Sequence, residues 1–382
     1  MPVETLSRRQ RVLNAIEHKP VDRFPIDLGA HFSTGISAFA YWELRKYLGL
    51  SCENIELIDS VQMLARVEDD IIDRFHIDTK LLRARWSKPV PWNVRGEYTF
   101  NACPKLNPQL QANGDHMVYV GDRKMRMPKG GFFFDGDWLQ VSELDEDGEI
   151  MELVKEADEM REKGDFFNMY MEYGAYFGGI EEACDMYTDP DDILENREVQ
   201  HARNIAHFEK LLRADKKGNI DCIALNSDLG MQNAPMIRPE MYEEFCFPYL
   251  KKLCDFIHEN SDKKVFLHSC GSVEPLIPYF IEAGVDVLNP VQISANNMEP
   301  NTLKDRYGDK ICFWGGGCNT QQVLGFKTPE EVRENVRFLT GILGKIPASC
   351  SIRCTTSWAT SQRKTSSPCS TRRTPAAGSI SN

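Results

Sequence analysis

Short apolar runs and longer amphipathic stretches alternate along this chain. Apolar runs of strand length occupy residues 23–28, 77–85, 167–173, 221–227, 264–268, 285–288 and 310–314. Apolar residues at helical spacing predict helices at 7–18, 38–48, 58–75, 145–163, 191–213, 239–260, 273–283 and 329–343. Because strands alternate with helices and the strands are mostly apolar, the pattern predicts a parallel sheet in an α/β fold.

The seven predicted strands, most of them followed by a helix, are one short of the eight units of a (β/α)8 TIM barrel. We expect such a barrel over residues 1–346. Residues 87–142 interrupt the alternation. They are rich in Pro, Gly, Asn and aromatic residues, so they predict a β-rich insertion of hairpins and loops. Neither a Gly-rich dinucleotide fingerprint nor a phosphate-binding loop is visible in the sequence.

The composition changes near the C-terminus, where the eighth unit is due. The last acidic residue is Glu334, and after Pro347 the chain is rich in Ser, Thr and Arg. One interpretation is a disordered tail over 347–382. We favour a frameshift that begins at 344–347, because codons read two bases further on permit a loop, an amphipathic helix and a His at the end of the eighth strand. The last β/α unit is then lost, and the first and seventh strands keep unpaired edges.

The composition narrows the class of function. The chain has 382 residues, 42% of them apolar, and a formal charge of −12, which disfavours nucleic acids and anionic membranes as partners. No apolar stretch reaches the length of a membrane span, and the charged N-terminus lacks the apolar core of a signal peptide. The 12 cysteines are scattered, so we interpret them as reduced thiols and expect a cytoplasmic protein.

Residues with metal-binding chemistry follow two predicted strands. His268 and Cys270 end the run 264–268, and a spacing of two places both on one face of an extended chain. Cys318 follows the strand at 310–314, so all three belong to the rim where barrel active sites form. One imidazole and two thiolates suit a catalytic zinc ion with an open fourth position. The alternative is that these are ordinary buried residues.

Other polar residues at strand ends are candidates for general acid–base catalysis. We select His31 after the first strand, Glu172 at the end of the third and Asp228 after the fourth as catalytic candidates. The weaker candidates, which would orient a substrate, are Asp27, Gln232, Asn289 and Gln292. For each acidic residue the alternative is a helix cap or a solvated loop.

Four segments resemble the uroporphyrinogen decarboxylase superfamily. They read GGIEEACDMYTDPDDIL, SDLGMQNAPMIRPEMYEEFCFPYLKKLCDFIHE, FLHSCGSVEPLIPYFIEAGVDVLNP and FWGGGCNTQQVL. Their order and spacing carry the resemblance, which extends over about residues 5–345. It implies a (β/α)8 barrel and one of two activities, since the superfamily contains decarboxylases and zinc-dependent, corrinoid-dependent methyltransferases.

The resemblance favours the methyltransferase branch. The decarboxylases carry an Arg-rich motif after the first strand, whereas this chain has IDLGAHFSTG there. The methyltransferases carry His-x-Cys and a later Cys as zinc ligands, which His268 and Cys270 match. That later Cys follows the last strand in the best-known members, so the third ligand here is Cys318 or a residue this sequence does not display.

The resemblance therefore implies a methyltransferase that uses Zn²⁺ and a corrinoid (cobalamin) carried by a partner protein. The small-molecule methyl donor would be a methoxylated aromatic or another small compound, and the insertion would shape its pocket or dock the corrinoid protein. Uroporphyrinogen decarboxylase activity is the alternative, and a scaffold that binds zinc without turnover is a weaker one. We leave the oligomeric state open, with a homodimer as one option.

Overall fold

The computed structural model describes residues 4–136, 142–172, 174–344 and 351–354. For Glu172 and for residues 351–354 it describes the backbone alone. Within these ranges, no helix combines the length and the apolar character needed to cross a membrane. The disordered or frameshifted tail predicted over 347–382 lies outside the described residues, apart from the backbone of 351–354.

The strands fall into three groups along the chain. The first group is β1 (Ile26–Asp27), β2 (Ile36–Ser37), β3 (Leu57–Asp59), β4 (Leu64–Ala65) and β5 (Thr79–Leu81). The second is β6 (Val90–Asn93), β7 (Thr99–Ala102), β8 (Gln109–Leu110), β9 (His116–Val120), β10 (Arg123–Met127) and β11 (Asp135–Gly136). The third is β12 (Phe167–Glu172), β13 (Cys222–Asn226), β14 (Lys264–His268), β15 (Val287–Asn289), β16 (Cys312–Trp314) and β17 (Ser351–Cys354).

The helices cover most of the predicted helical segments. They are α1 (Arg8–Ile16), α2 (Ala38–Tyr47), α3 (Asp69–Arg74), α4 (Glu146–Gly164), α5 (Ile180–Thr188), α6 (Pro190–Ala214), α7 (Pro239–Phe245), α8 (Phe247–Asn260), α9 (Ile277–Ala283), α10 (Pro300–Tyr307) and α11 (Pro329–Leu343). Short helical turns lie at Phe32–Thr34, Glu274–Leu276 and Thr320–Leu324.

A curled parallel sheet forms the centre of the α/β fold. Among the described residues it has eight strands in the order β1-β17-β16-β15-β14-β13-β12-β5, and every pairing is parallel. The backbone N–H of Asp78, directly before β5, donates to the carbonyl of Ile26 in β1 at 2.8 Å. The two edges of the sheet are therefore joined, and the strand ends form a common rim.

Strand β17 corrects the expectation that the first and seventh strands keep unpaired edges, while the helix of the eighth unit lies outside the described residues. Phe313 and Trp314 pair with its first two residues, and Ile26 and Asp27 pair with its last two. The edges of the first and seventh strands are consequently paired. The physical reason is that strand pairing uses backbone groups, so a short extended segment can pair there whatever its sequence.

The β-rich insertion is confirmed. Strands β8 to β11 form an antiparallel sheet, and β6 pairs with β7 in a separate hairpin. The predicted helix at 58–75 is wrong over most of its length, because β3 and β4 form an antiparallel pair there and only Asp69–Arg74 is helical. Apolar residues at 57, 58, 61, 63, 64 and 65 are all buried, so their near-continuous run did not distinguish a strand pair from a buried helix.

Alternation along the strands divides the core into two layers. Inside the curled sheet lie Phe167, Met169, Cys222, Ala224, Phe266, Val287, Cys312 and Trp314. Their neighbours in sequence, such as Val265 and Leu267, pack outward against the helices. Because side chains alternate with a period of two, His268 points inward like Phe266.

Candidate metal centre at the carboxyl ends of the strands

A cavity of about 720 Å³ opens at the carboxyl ends of the parallel strands. The predicted site residues that line it are His31, Asp228, His268, Cys270, Cys318 and the weaker candidate Gln292. Glu172 ends β12 at the same rim, but its side chain lies outside the described residues. The fold thus brings together residues that are up to 287 positions apart in the chain.

Three of these residues form a compact donor cluster. His268 Nε2 lies 3.4 Å from Cys270 Sγ and 3.5 Å from Asp228 Oδ1. The three potential ligand atoms all lie within 4.8 Å of one another. A nitrogen, a sulfur and a carboxylate oxygen are the donor types that zinc takes from proteins, so the residues fit a zinc ion.

The histidine is oriented by a neighbouring amide. His268 Nδ1 lies 2.7 Å from Asn289 Oδ1, and Asn289 Nδ2 donates to the carbonyl of Trp314 at 2.8 Å. Because its Nδ2 is engaged, Asn289 presents its oxygen, which accepts the Nδ1 proton. Nε2 is left with its lone pair toward Cys270 and Asp228, the arrangement that a metal-ligating histidine requires.

Close backbone packing fixes the loop that carries Cys270. Gly271 has φ +85°, and a Cβ at this position would lie 2.3 Å from the carbonyl oxygen of Gly230. A side chain there would force the loops after β13 and β14 apart. The backbone N–H of Cys270 also donates to Asp228 Oδ1 at 2.9 Å, which ties two members of the cluster together directly.

Two glutamines fasten the same loops. Gln292 Oε1 accepts the N–H of Gly271 at 2.9 Å, and Gln292 Nε2 donates to Gln232 Oε1 at 3.3 Å. Gln232 also donates to the carbonyl of Ser294. Both glutamines hold the rim loops after β13, β14 and β15. Gln292 also lines the cavity, and the role of either glutamine in orienting a substrate stays a prediction.

Burial shifts the pKa values of Cys270 and of the neighbouring His31. Burial, and secondarily the charge of Asp228, raises the pKa of the Cys270 thiol well above its ordinary value. Burial, together with the neighbouring His268, lowers the pKa of His31 well below its ordinary value. In the metal-free protein Cys270 is therefore a neutral thiol at pH 7, and coordination of a cation would release its proton.

Cys318 and His31 line the cavity without joining the donor cluster. Cys318 is half-buried on the glycine-rich loop after β16. Among the described residues, the third member of the donor cluster is Asp228 and not Cys318. The ring centroid of His31 lies 5.3 Å from that of His268, and His31 Nδ1 lies 2.7 Å from Ser33 Oγ. Ser33 in turn donates to Asn289 Oδ1 at 2.7 Å, which links His31 to His268.

Asp27 connects neighbouring strands of the parallel sheet. It is fully buried, and it accepts hydrogen bonds from Thr79 Oγ1 at 2.7 Å and Trp314 Nε1 at 2.9 Å. These bonds join β1 to β5 and β16, and burial raises the pKa of this carboxyl group. Asp27 is not among the described residues that line the cavity.

Sequence reasoning did not select Ser33, Asn226 or Gln62, which also line the cavity. Asn226 ends β13 on the inward face, two residues after Ala224, and strand alternation alone would have placed it there. Gln62 lies between β3 and β4, within the segment interpreted as a helix. Because this segment was interpreted as a helix, the sequence did not predict that Gln62 lines the cavity.

Comparison with known proteins agrees with the sequence patterns. Residues 209–343, which include Asp228, His268, Cys270 and Cys318, match the family described as uroporphyrinogen decarboxylase (URO-D). The predicted family resemblance is confirmed over this segment. No curated protein sequence matches the chain significantly.

The fold is similar to that of a solved structure, a methyltransferase from Methanosarcina mazei. The two share 14% sequence identity and a TM-score of 0.51 over 92% of this chain and 95% of that one. At this identity the similarity concerns the fold, and its coverage is wider than the URO-D segment.

Proposed function

We propose that this protein is a zinc-dependent methyltransferase that moves a methyl group between a small donor and the corrinoid of a partner protein. The observation that carries the proposal is the cluster of Asp228, His268 and Cys270 in a cavity at the strand ends. The URO-D match and the fold shared with a methyltransferase support it. On this proposal the curled sheet is the (β/α)8 barrel of that superfamily.

The protein would hold zinc through His268, Cys270 and Asp228. Three protein ligands leave a fourth position for a substrate, the arrangement of catalytic zinc sites. When bound, zinc would supply Lewis acidity to the donor heteroatom, which makes that atom a better leaving group. Asn289 would keep His268 in the ligating tautomer, and Cys270 would give up its proton when it coordinates.

The lining of the cavity disfavours the alternative, uroporphyrinogen decarboxylation. Uroporphyrinogen carries eight carboxylates, and a site for it needs several cationic side chains. None of the described residues that line the cavity is Lys or Arg. This agrees with the lack of arginine in the segment after β1.

The open side of the cavity is where we propose that the corrinoid protein approaches. The insertion that contains β6 to β11 carries exposed apolar side chains, including Leu110, Tyr119 and Phe133, which are 68%, 52% and 46% exposed. We propose that this insertion shapes the pocket for the methyl donor or docks the corrinoid protein.

The direct test combines metal analysis with a methyl-transfer assay. The purified chain is expected to carry about one zinc and to methylate cob(I)alamin from an active donor, followed by the cobalamin spectrum. C270S and H268A should lose both zinc and transfer. C184S, which changes an exposed free cysteine on α5, is the matched control.

Two outcomes would contradict the proposal. Undiminished zinc and transfer in both ligand variants would show that the cluster is not the metal site. Efficient conversion of uroporphyrinogen to coproporphyrinogen by the unmodified protein would favour the decarboxylase instead.

A further inference from the structure

The β-rich insertion exposes more apolar side chains than its length explains. Among the described residues fifteen large apolar side chains are exposed, and five of them lie within this one insertion. The five, which are 43–68% exposed, are Val90, Leu110, Tyr119, Val120 and Phe133. A concentration of exposed apolar side chains is typical of a surface that binds another molecule.

The insertion also carries a positive charge within an acidic chain. Residues 87–142 contain seven Lys and Arg against five Asp and Glu, whereas the whole chain has a formal charge of −12. On β9 and β10, Val118 and Met125 are buried, and their sequence neighbours Tyr119 and Lys124 are exposed and pair with each other. Strand alternation therefore places an apolar and a basic side chain together on the outer face.

Arg95, in the turn between β6 and β7, is a cation without an acidic partner. Its guanidinium carbon lies 4.6 Å from the ring centroid of Phe39 and 4.5 Å from that of Phe132. Within the described part of the chain, its buried Nη2 has no hydrogen-bond partner and the side chain forms no ion pair. Glu97 in the same hairpin pairs with Lys46 at 3.4 Å instead. Because an unpaired guanidinium donor is costly to bury, Arg95 is suited to a carboxylate of a second molecule.

A surface of opposite charge lies on α5 and at the start of α6. Residues 180–192 contain six Asp and Glu and neither Lys nor Arg. Ile180 and Tyr187 are 58% and 61% exposed there, so this surface is both apolar and acidic. Glu182 pairs with Arg197, and the other five acids form no ion pair among the described residues. These five exposed acids are Glu181, Asp185, Asp189, Asp191 and Asp192.

Both complementary surfaces belong to this chain, so a second copy offers the charge that each surface lacks. Two chains of charge −12 repel each other in most orientations, and contact between the basic insertion and the acidic α5 is an orientation that their charges favour. In a two-fold dimer every contact occurs twice, so each insertion would meet the α5 of the other protomer.

We propose that the chain forms a two-fold dimer in which the insertion of one protomer packs on α5 of its partner and Arg95 pairs with a carboxylate there. This inference goes beyond the proposed function. Of the two roles given above to the insertion, it selects the shaping of the pocket. The backbone supports that role, because the N–H of Phe134 donates to the carbonyl of Val61 at 2.8 Å, next to the cavity-lining Gln62.

The test is the oligomeric state of the full chain, which depends on neither zinc nor turnover. Sedimentation velocity over a wide range of concentrations should show a reversible dimer. R95E should weaken dimerisation by about 100-fold, because like charges then meet at both contacts. R203E makes the same change at an exposed position of α6 outside both surfaces and should leave the dimer unchanged.

A charge exchange tests the pairing of the two surfaces. The double variant D185R/D189R should also be monomeric, because its α5 then repels the insertion. A mixture of the R95E chain with the D185R/D189R chain should form heterodimers, since opposite charges face each other at both contacts. Far-UV circular dichroism of each variant verifies that it is folded.

A matched pair of apolar changes completes the test. F133S, in the insertion, should weaken the dimer, whereas F338S, which changes an exposed phenylalanine on α11, should not. Three outcomes would overturn the proposal: a chain that stays monomeric at every concentration, a dimer that R95E leaves intact, or a mixture without heterodimers. The first of these would leave the insertion open to the corrinoid protein.

Discussion

The two ends of the parallel sheet use polar residues in opposite ways. At the amino ends, Asp78 and Asp221 directly precede β5 and β13 and are enclosed by arginines. Arg11 is fully buried and contacts Asp22 at 2.6 Å and Asp78 at 2.7 Å, while Arg161 contacts Asp221 at 2.9 Å. At the carboxyl ends, the described cavity lining has uncharged amides, hydroxyls, imidazoles and thiols, with Asp228 as its acid.

This difference teaches where stability and chemistry reside. The charged residues named at the amino ends pair with one another, so they hold α1, β1 and β5 together. The donor atoms at the carboxyl ends lie close to one another, and no described Lys or Arg lines their cavity. They are therefore suited to hold a metal ion. The same division between a stability face and a catalytic face is general for parallel barrels.

The largest expected effect is at the rim. C270S should abolish stoichiometric zinc, because the thiolate is the strongest soft donor of the cluster, while the midpoint of thermal unfolding of the metal-free protein should change little. Metal analysis and a thermal melt of the chelated protein measure the two effects. If the metal-free C270S variant unfolds at a much lower temperature than the metal-free unmodified protein, Cys270 contributes to packing. The contrast between the two ends of the sheet would then be wrong.

The next effect is at the amino ends. R11M should lower the free energy of unfolding by about 3–5 kcal/mol, because it leaves Asp78 buried without one of its partners. Zinc per folded chain should stay the same. Urea unfolding gives the first quantity and metal analysis the second.

The control for R11M is K19A, which breaks an exposed pair with Glu17 and should cost no more than about 1 kcal/mol. An R11M variant as stable as K19A would show that the buried network contributes little.

A smaller effect is expected at Asn289. N289A should lower zinc affinity by about 10- to 100-fold, because His268 loses the acceptor that fixes its tautomer. Competition with a chromophoric chelator measures this change. Q292A, which removes a contact to the loop without touching His268, should weaken zinc less than N289A does. The reverse order would make the loop, and not the tautomer, decisive.

The smallest effect concerns pH. The guanidinium of Arg11, through its hydrogen bonds, holds the pKa of Asp22 well below its usual value in the folded protein. A depressed folded pKa stabilises the protein above the unfolded pKa near about 4, and this contribution is lost as the pH falls through the folded pKa. Stability should therefore decline below about pH 4, and D22N should be less stable at pH 7 with a shallower decline. Parallel curves for the two proteins would exclude Asp22 as a source of the slope.

Much of the candidate site was predictable because it depends on local spacing. The interval between His268 and Cys270 specifies one face of an extended chain, and the strand before them is buried whatever its neighbours are. The same reasoning placed His31 and Asp228 on the rim. The strand pair β3 and β4 was missed because a buried apolar run carries no periodicity that separates strand from helix.

By itself, the sequence determined the alternation of strands and helices, the inserted β-rich segment and the pairing of His268 with Cys270. The tertiary structure alone decided that Asp228 completes the donor cluster where Cys318 was expected. It also placed residues 351–354 in the eighth strand position. The physical reason is that periodicity fixes the face on which a side chain lies, whereas contacts between elements depend on strand register and on the course of the loops that join them.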